Sequence, residues 1–213
     1  MPLHYRTIPV TAFQQNASIV WCEATRQAAV IDPGGDLPQL LAAVDELQLE
    51  LQQIWLTHAH IDHAGATGQL ARERGLPIVG PHEGDRFWID QLPGQSRMFG
   101  FPPAEPFTPT RWLVDGDTVT VGECTLAVRH CPGHTPGHVV FHSAQAQRAF
   151  VGDVLFAGSI GRTDFPGGDF DTLIASITQR LWPMGDETVF IPGHGPESSF
   201  GRERRFNPFL QGS

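Results

Sequence analysis

A chain of 213 residues is within the size that one hydrophobic core can serve, so a single domain over 1–213 is expected. With 40% hydrophobic and 17% charged residues the composition is globular, and no apolar run approaches the roughly 18 residues that span a bilayer. A formal net charge of −9 argues against nucleic acid as the partner, because neutralising phosphates takes clustered Lys and Arg.

In chain order, Tyr5 to Val10, Ala17 to Cys22 and Gln27 to Ile31 read as strands, and Asp32-Pro33-Gly34-Gly35 ends the third with turn chemistry. Asp36 then caps a helix whose apolar positions Leu40, Leu41, Val44 and Leu47 follow helical spacing. Ile54-Trp55-Leu56 is a buried strand that delivers Thr57 into a loop. A second helix covers Ala64 to Arg74, and a third covers part of Glu83 to Gln91. From Leu92 to Pro109 the chain is rich in Pro, Gly and Phe and reads as an irregular surface loop inserted beside the site. Strands are expected again at Arg111 to Val114, Thr118 to Val121 and Thr125 to His130, with Asp115-Gly116 as a hairpin turn. Val139 to His142, Arg148 to Val151 and Thr188 to Ile191 add three more, with an amphipathic helix from Asp171 to Leu181 before the last. Two strand-rich halves, each with helices, imply an α+β fold with two sheets face to face and helices outside.

The chemistry concentrates at Thr57-His58-Ala59-His60-Ile61-Asp62-His63, directly after a strand. In extended backbone His58 and His60 point the same way, as two ligands on one ion require, while Asp62 and His63 at a helix start can turn towards a second ion. Three more candidates sit on glycine-flanked turns after apolar strands: His134 in Pro132-Gly133-His134-Thr135-Pro136-Gly137, Asp153 after Gly152, and His194 in Pro192-Gly193-His194-Gly195. Metal sites need ligands converging from distant strands, and glycine lets backbone approach closely.

The set THxHxDH, PGHTPG, GD and PGHG resembles the metallo-β-lactamase superfamily over nearly the whole chain. The run from Gly152-Asp153 to Gly161-Arg162-Thr163-Asp164-Phe165 and the ending Glu203-Arg204-Arg205-Phe206-Asn207-Pro208-Phe209 are similar to bacterial glyoxalase II-like proteins, described as hydroxyacylglutathione hydrolases. That resemblance implies an αββα four-layer sandwich without the C-terminal helical domain of full-length glyoxalase II. It implies one metal on His58, His60 and His134, a second on Asp62, His63 and His194, and Asp153 as the bridge. Asp62 and Asp153 are the catalytic carboxylates, and Arg162 is a candidate anchor for a substrate carboxylate, with an ion pair to Asp164 or Asp169 as its structural alternative. The cofactors are two divalent ions, zinc first, with iron or manganese also suited to these donors. The activity implied is hydrolysis of a small thioester, glutathione-derived as in S-D-lactoylglutathione, by a metal-bridging hydroxide. Alternatives are a mononuclear iron persulfide dioxygenase on His58, His134 and Asp153, another esterase, lactonase or phosphodiesterase of the fold, and a β-lactamase, from which Asp153 points away.

Other residues carry less. Three cysteines, Cys22, Cys124 and Cys131, lack CxxC spacing and indicate neither disulfides nor a thiolate cluster. His138 is expected to make a structural hydrogen bond and Cys131 to be a small buried hydrophobe. Arg202, Arg204 and Arg205 read as a solvated helix face. His4, His82, His130 and His142 have no motif context. Met1 to Val10 lacks a secretory apolar stretch, so no membrane partner and a cytoplasmic location are expected.

Overall fold

The computed structural model describes residues 2–211. The first sheet takes β1 (Leu3–Val10), β2 (Gln15–Cys22), β3 (Gln27–Ile31), β4 (Glu50–Trp55) and β5 (Ile78–Val79) in chain order, antiparallel to β3 and parallel beyond it. The second is built from β6 (Thr118–Val121), β7 (Cys124–His130), β8 (Val139–Ser143), β9 (Arg148–Gly152), β12 (Val189–Pro192) and β13 (Ser198–Ser199), in the order β13-β12-β9-β8-β7-β6. A small hairpin, β10 (Leu155–Phe156) with β11 (Ser159–Ile160), follows β9.

Side chains alternate across a strand, so a strand apolar on both faces needs cover on both. On β2, Ala17, Ile19 and Trp21 join one buried cluster while Val20 and Cys22 join another; β3 and β4 repeat the split, Val30 and Ile54 facing one way, Ile31 and Trp55 the other. The second sheet does the same, with Phe141 and Phe150 turned to the middle cluster and Val140, Ala149 and Val151 turned outward. Helices α1 (Leu37–Glu46), α2 (Ile61–Ala64), α3 (Thr67–Arg74), α4 (Arg86–Asp90) and α5 (Leu92–Phe99) cover the first sheet through Leu40, Val44, Ile61, Leu70, Ile89 and Leu92. Helices α6 (Phe170–Ser176) and α7 (Phe200–Phe206) cover the second through Leu173 and Phe200. Three apolar layers between four structural ones make the αββα sandwich expected from the sequence. Among the described residues no helix is long and apolar enough to cross a membrane.

Several local expectations change. The segment after Leu92 is not all loop: Pro93 falls in the first turn of α5, where its missing N–H costs nothing, and Gly100 ends the helix with φ 72°. The helix expected over Ala64 to Arg74 is two, α2 and α3, parted at Gly65-Ala66. Arg111 to Val114 forms only a bridge from Arg111 to Val79, so Asp115-Gly116 turns from coil into β6 and closes no hairpin. Asp36 precedes α1 at φ 47°, and its carboxylate accepts from the Thr11 N–H at 2.7 Å instead of capping the helix. The last long helix runs one turn into a π-helical turn at Ile177–Leu181, and Asp169 caps it by accepting from Thr172 N–H.

Trp55 and Phe141 meet across the two sheets with ring centroids 5.4 Å apart, both fully buried. Trp55→Ala is expected to destabilise by about 3–5 kcal/mol, because the facing sheets cannot close the void; a denaturant melt with an unchanged slope and a lower midpoint checks it.

Candidate metal centre

One rim of the sandwich collects the chemistry. The chain leaves β4 into Thr57 to His60 and enters α2 with Ile61, Asp62 and His63; the turn between β7 and β8 brings His134, the end of β9 brings Asp153 and the end of β12 brings His194. All seven residues named from the sequence are in this one place, six of them buried and His194 part-buried. Close approach is enforced by backbone: a Cβ on Gly193 would collide with Asp153 Oδ1 and lie 2.6 Å from His63 Cε1.

The donors fall into two groups of three, His58 with His60 and His134, and Asp62 with His63 and His194; within each group the donor atoms lie within 4.8 Å of one another. His134 Nδ1 donates to the Arg162 carbonyl at 2.7 Å, which leaves its Nε2 bare, 3.0 Å from His60 Nδ1. His194 Nδ1 donates to the Phe13 carbonyl, and its Nε2 lies 3.1 Å from Asp62 Oδ2. Asp153 stands between the groups, with Oδ1 3.3 Å from His63 Nε2 and Oδ2 3.7 Å from both His134 Nε2 and His194 Nε2. His58 Nε2, His60 Nε2, His63 Nε2 and Asp153 Oδ1 are buried and find no hydrogen-bond partner. Buried donor atoms left without hydrogen-bond partners where the two groups meet fit cations there, because leaving them bare costs free energy that coordination returns.

Electrostatics divides the groups. Burial, reinforced by neighbouring imidazoles, holds His58 and His60 well below the usual histidine pKa, and burial lowers His134 too. Burial would also lower His63 and His194, but the carboxylates of Asp153 and Asp62, with Asp32 beside His63, outweigh it and both are raised. Asp153 is the converse: burial would raise its carboxyl, yet His63, His134 and His194 hold it far below the carboxylate range.

Two buried carboxylates that sequence reasoning missed hold this arrangement. Asp32, at the end of β3, accepts from Thr57 N–H at 2.7 Å, Thr57 Oγ1 at 2.6 Å and His63 Nδ1 at 2.9 Å. Its oxygens also lie near His58 and His63 as a third potential donor group, but three donors already occupy them, so Asp32 orients His63 rather than ligating. Asp85 accepts from Ala59 N–H, Thr135 Oγ1 and Gly137 N–H, lacing the His58–His60 loop to the His134 turn, and burial pushes its pKa up to about 7. His138 does make the expected structural bond, accepting from Asp153 N–H at 3.0 Å.

The metallo-beta-lactamase superfamily model matches residues 10–194. The chain belongs to the metallo-beta-lactamase superfamily. It is 46% identical over 209 residues to hydroxyacylglutathione hydrolase GloC of Haemophilus influenzae, covering 98% of both chains. Among solved structures it resembles BLEG-1 B3 metallo-beta-lactamase, with TM-score 0.90, 37% identity and coverage of 98% of this chain and 100% of that one. It also resembles TTHA1623 in a di-iron-bound form, with TM-score 0.87, 38% identity and coverage of 96% and 100%. Membership of a superfamily of metallo-hydrolases and the two donor groups together make this a site for divalent metal ions.

The rim opens into a pocket of about 710 Å³ lined by five of the seven donors and by Phe13, Trp88, Met98, Phe99, Phe156 and Phe165. Arg162 lies on its wall, but its Nε and Nη2 each donate to Asp164 at 2.6 Å and its guanidinium sits 4.1 Å above the Phe165 ring. Cys131 is buried, with its thiol pushed up to about 12 by burial. Of the arginine run on α7, Arg204 reaches Asp186 at 3.5 Å and Arg202 and Arg205 are exposed. His4 stacks on Trp21, and His82 stacks on His130.

Removing the second oxygen at Asp32 tests the support. Asp32→Asn is expected to weaken metal retention about 10- to 100-fold, the usual cost of losing a carboxylate behind a ligating histidine, with little change in fold. Competition against a metallochromic chelator reads the affinity, and circular dichroism reads the fold.

Proposed function

We propose that this chain is a metal-dependent thioester hydrolase. The carrying observation is the pair of three-donor groups with Asp153 between them at the floor of a pocket. The 46% identity to a hydroxyacylglutathione hydrolase over 98% of both chains supports it. His58, His60 and His134 would hold one ion and Asp62, His63 and His194 the other, with Asp153 shared. Imidazole and carboxylate donors suit zinc first and iron or manganese next. When bound, two such cations supply a water acidified to a pKa of about 7 and polarise the carbonyl under attack.

The protein's own groups do the rest. Asp62 lies in one group and Asp153 between the two, and their carboxylate oxygens orient the attacking water and accept its proton. Asp32 keeps the Nδ1 proton of His63 fixed, so that its Nε2 lone pair faces inward. Trp88 and Phe165 keep bulk water from the reacting bond, their rings standing 4.6 and 5.3 Å from that of His60. Water's oxygen bonds to the acyl carbon, the carbon–sulfur bond breaks, and the products are a carboxylate, a thiol and a proton. A thiolate with a free pKa near 8.5 leaves without a strong general acid. The substrate is a small thioester, with S-D-lactoylglutathione as the probe, and the acidic chain is offered no role with nucleic acid or membrane. No export step is part of this reading, and the chain works in the cytoplasm.

Elemental analysis of the purified protein is expected to give about two ions per chain, and loss of thioester absorbance with S-D-lactoylglutathione is expected to stop on chelation. His58→Ala should lower kcat at least about 100-fold. One iron per chain, no thioester cleavage and oxygen uptake with glutathione persulfide would overturn the hydrolase in favour of a persulfide dioxygenase.

The pKa directions predict an order of loss. Protons compete for the raised His63 and His194, whereas burial holds His58, His60 and His134 below the usual histidine range, so they take protons at lower pH. A group whose pKa is raised gains its proton earlier as pH falls, so dialysis at about pH 6 should strip the second ion before the first, while dialysis at about pH 8 retains both. Metal content after each dialysis decides it.

A further inference from the structure

Thioester hydrolysis at this floor leaves the walls of the pocket to choose the substrate. Those walls are aromatic and come from four separate segments: Phe13 from the turn between β1 and β2, Trp88 from α4 with Met98 and Phe99 from α5, Phe156 from β10, and Phe165 from the loop after β11. Four of these side chains, Phe13, Phe99, Phe165 and Trp88, form a continuous surface. Phe13 stands edge-on to Phe99 at 6.2 Å, Phe99 edge-on to Phe165 at 6.4 Å, and Phe165 edge-on to Trp88 at 6.1 Å. Met98 is 77% exposed, Phe13 45% and Phe99 36%, so the mouth leaves large apolar side chains in water beside the catalytic floor. An apolar patch in that position marks a ligand's resting place.

The charge inventory points the same way. Beyond the histidines, Arg162 is the only cation among the described lining residues, and Asp164 already occupies two of its donors. Gln95 is committed to Ile61 N–H, the Ala59 carbonyl and the Trp88 carbonyl. Gln91 and Ser159 are the remaining polar side chains of the wall. A thiol carrying two carboxylates, as glutathione does, finds no pair of free cationic side chains on the walls to hold both.

We propose that the pocket selects thioesters by apolar bulk: the preferred substrate carries an uncharged medium-chain aliphatic or aryl group, which Phe13, Met98, Phe99 and Phe165 cover, and needs no anionic anchor. This rests on the thioester-hydrolase reading of the metal centre. Phe13, Met98, Phe99 and Phe165 are then the specificity-determining residues, and S-D-lactoylglutathione is a substrate that the walls tolerate rather than one they were shaped for. Burying a methylene is expected to raise kcat/KM about threefold to fourfold, so lengthening the acyl group from acetyl to hexanoyl should gain on the order of 100-fold.

The test uses the metal-loaded protein with acetyl, hexanoyl and phenylacetyl thioesters of N-acetylcysteamine, a neutral thiol, beside S-D-lactoylglutathione. Two unreactive thioethers, S-hexyl-N-acetylcysteamine and S-methylglutathione, are titrated in parallel by calorimetry. The expected result is the hexanoyl gain, tighter binding of the hexyl thioether with a negative heat-capacity change, and an approximately tenfold fall in the hexanoyl-to-acetyl ratio in Met98→Ser/Phe99→Ser, a pair exposed enough to leave the core untouched. A flat acyl series, or tighter binding of S-methylglutathione, overturns selection by apolar bulk; if S-D-lactoylglutathione still turns over, the hydrolase stands. Cleavage of no thioester, with saturable hexyl thioether binding that Met98→Ser/Phe99→Ser weakens, overturns the hydrolase and leaves the apolar pocket in place. Neither binding nor cleavage overturns both.

Discussion

Buried donor atoms without hydrogen-bond partners are the constraint on which the rest of this structure depends. Five histidines and two aspartates point into one small space, and four of their donor atoms are shut off from water with no hydrogen-bond partner. In a protein interior an unpaired polar atom costs about 1–3 kcal/mol, so such a cluster persists only if a cation occupies its centre or the surrounding fold holds it open. The surrounding fold is built to do so. Asp32 ties the ends of β3 and β4 to His63, and Asp85 ties the loop after β4 to the turn before β8, so the two sheets cannot slide without breaking the buried bonds from Asp85 to Thr135 and Gly137.

The same rigidity explains why the site needs both sheets. His58, His60, Asp62 and His63 come from the first sheet and its helix, while His134, Asp153 and His194 come from the second. Each three-donor group draws from both, and Asp153 stands between the two groups. The apolar middle layer around Trp55, Phe141 and Phe150 therefore sets ligand geometry as well as stability, because it fixes the spacing of the sheets that carry the two halves.

Much of this was legible in the chain. The run Thr57 to His63 named four of the seven residues and glycine-flanked turns after apolar strands named the other three, because a strand end is where a buried backbone can hand a side chain to a cleft. The sandwich was legible from two strand-rich halves, each with helices, and strands such as Ile19 to Cys22, buried on both faces, show why both sheets are covered on each side. What was not legible depends on distance in space. Asp32 sits in Asp-Pro-Gly-Gly and looks like a turn residue; only the pairing of β3 with β4 brings it under His63. The available clue was its kinship with Asp153, an aspartate ending an apolar strand. Asp85 lies in a short helical turn with no motif, and its meaning comes from the approach of Ala59 and Gly137. The helix after Leu92 was hidden because Pro93 and Gly94 read as breakers, although proline in a first turn is compatible with a helix.

That helix changes how the site is to be understood. Had the segment been an irregular loop, Met98 and Phe99 would have been free to fold away from water, and their exposure would carry little meaning. On α5 they are fixed: Leu92 is fully buried, Ser96 Oγ donates to the Leu92 carbonyl, and Gln95 bonds to Ile61 N–H at the start of the helix that bears Asp62 and His63. The aromatic mouth and the metal floor thus share one rigid connection. A ligand that presses on the wall meets a surface already aligned with the floor, so apolar contact there is made without ordering a loop, and the binding free energy it yields is available at the reacting bond.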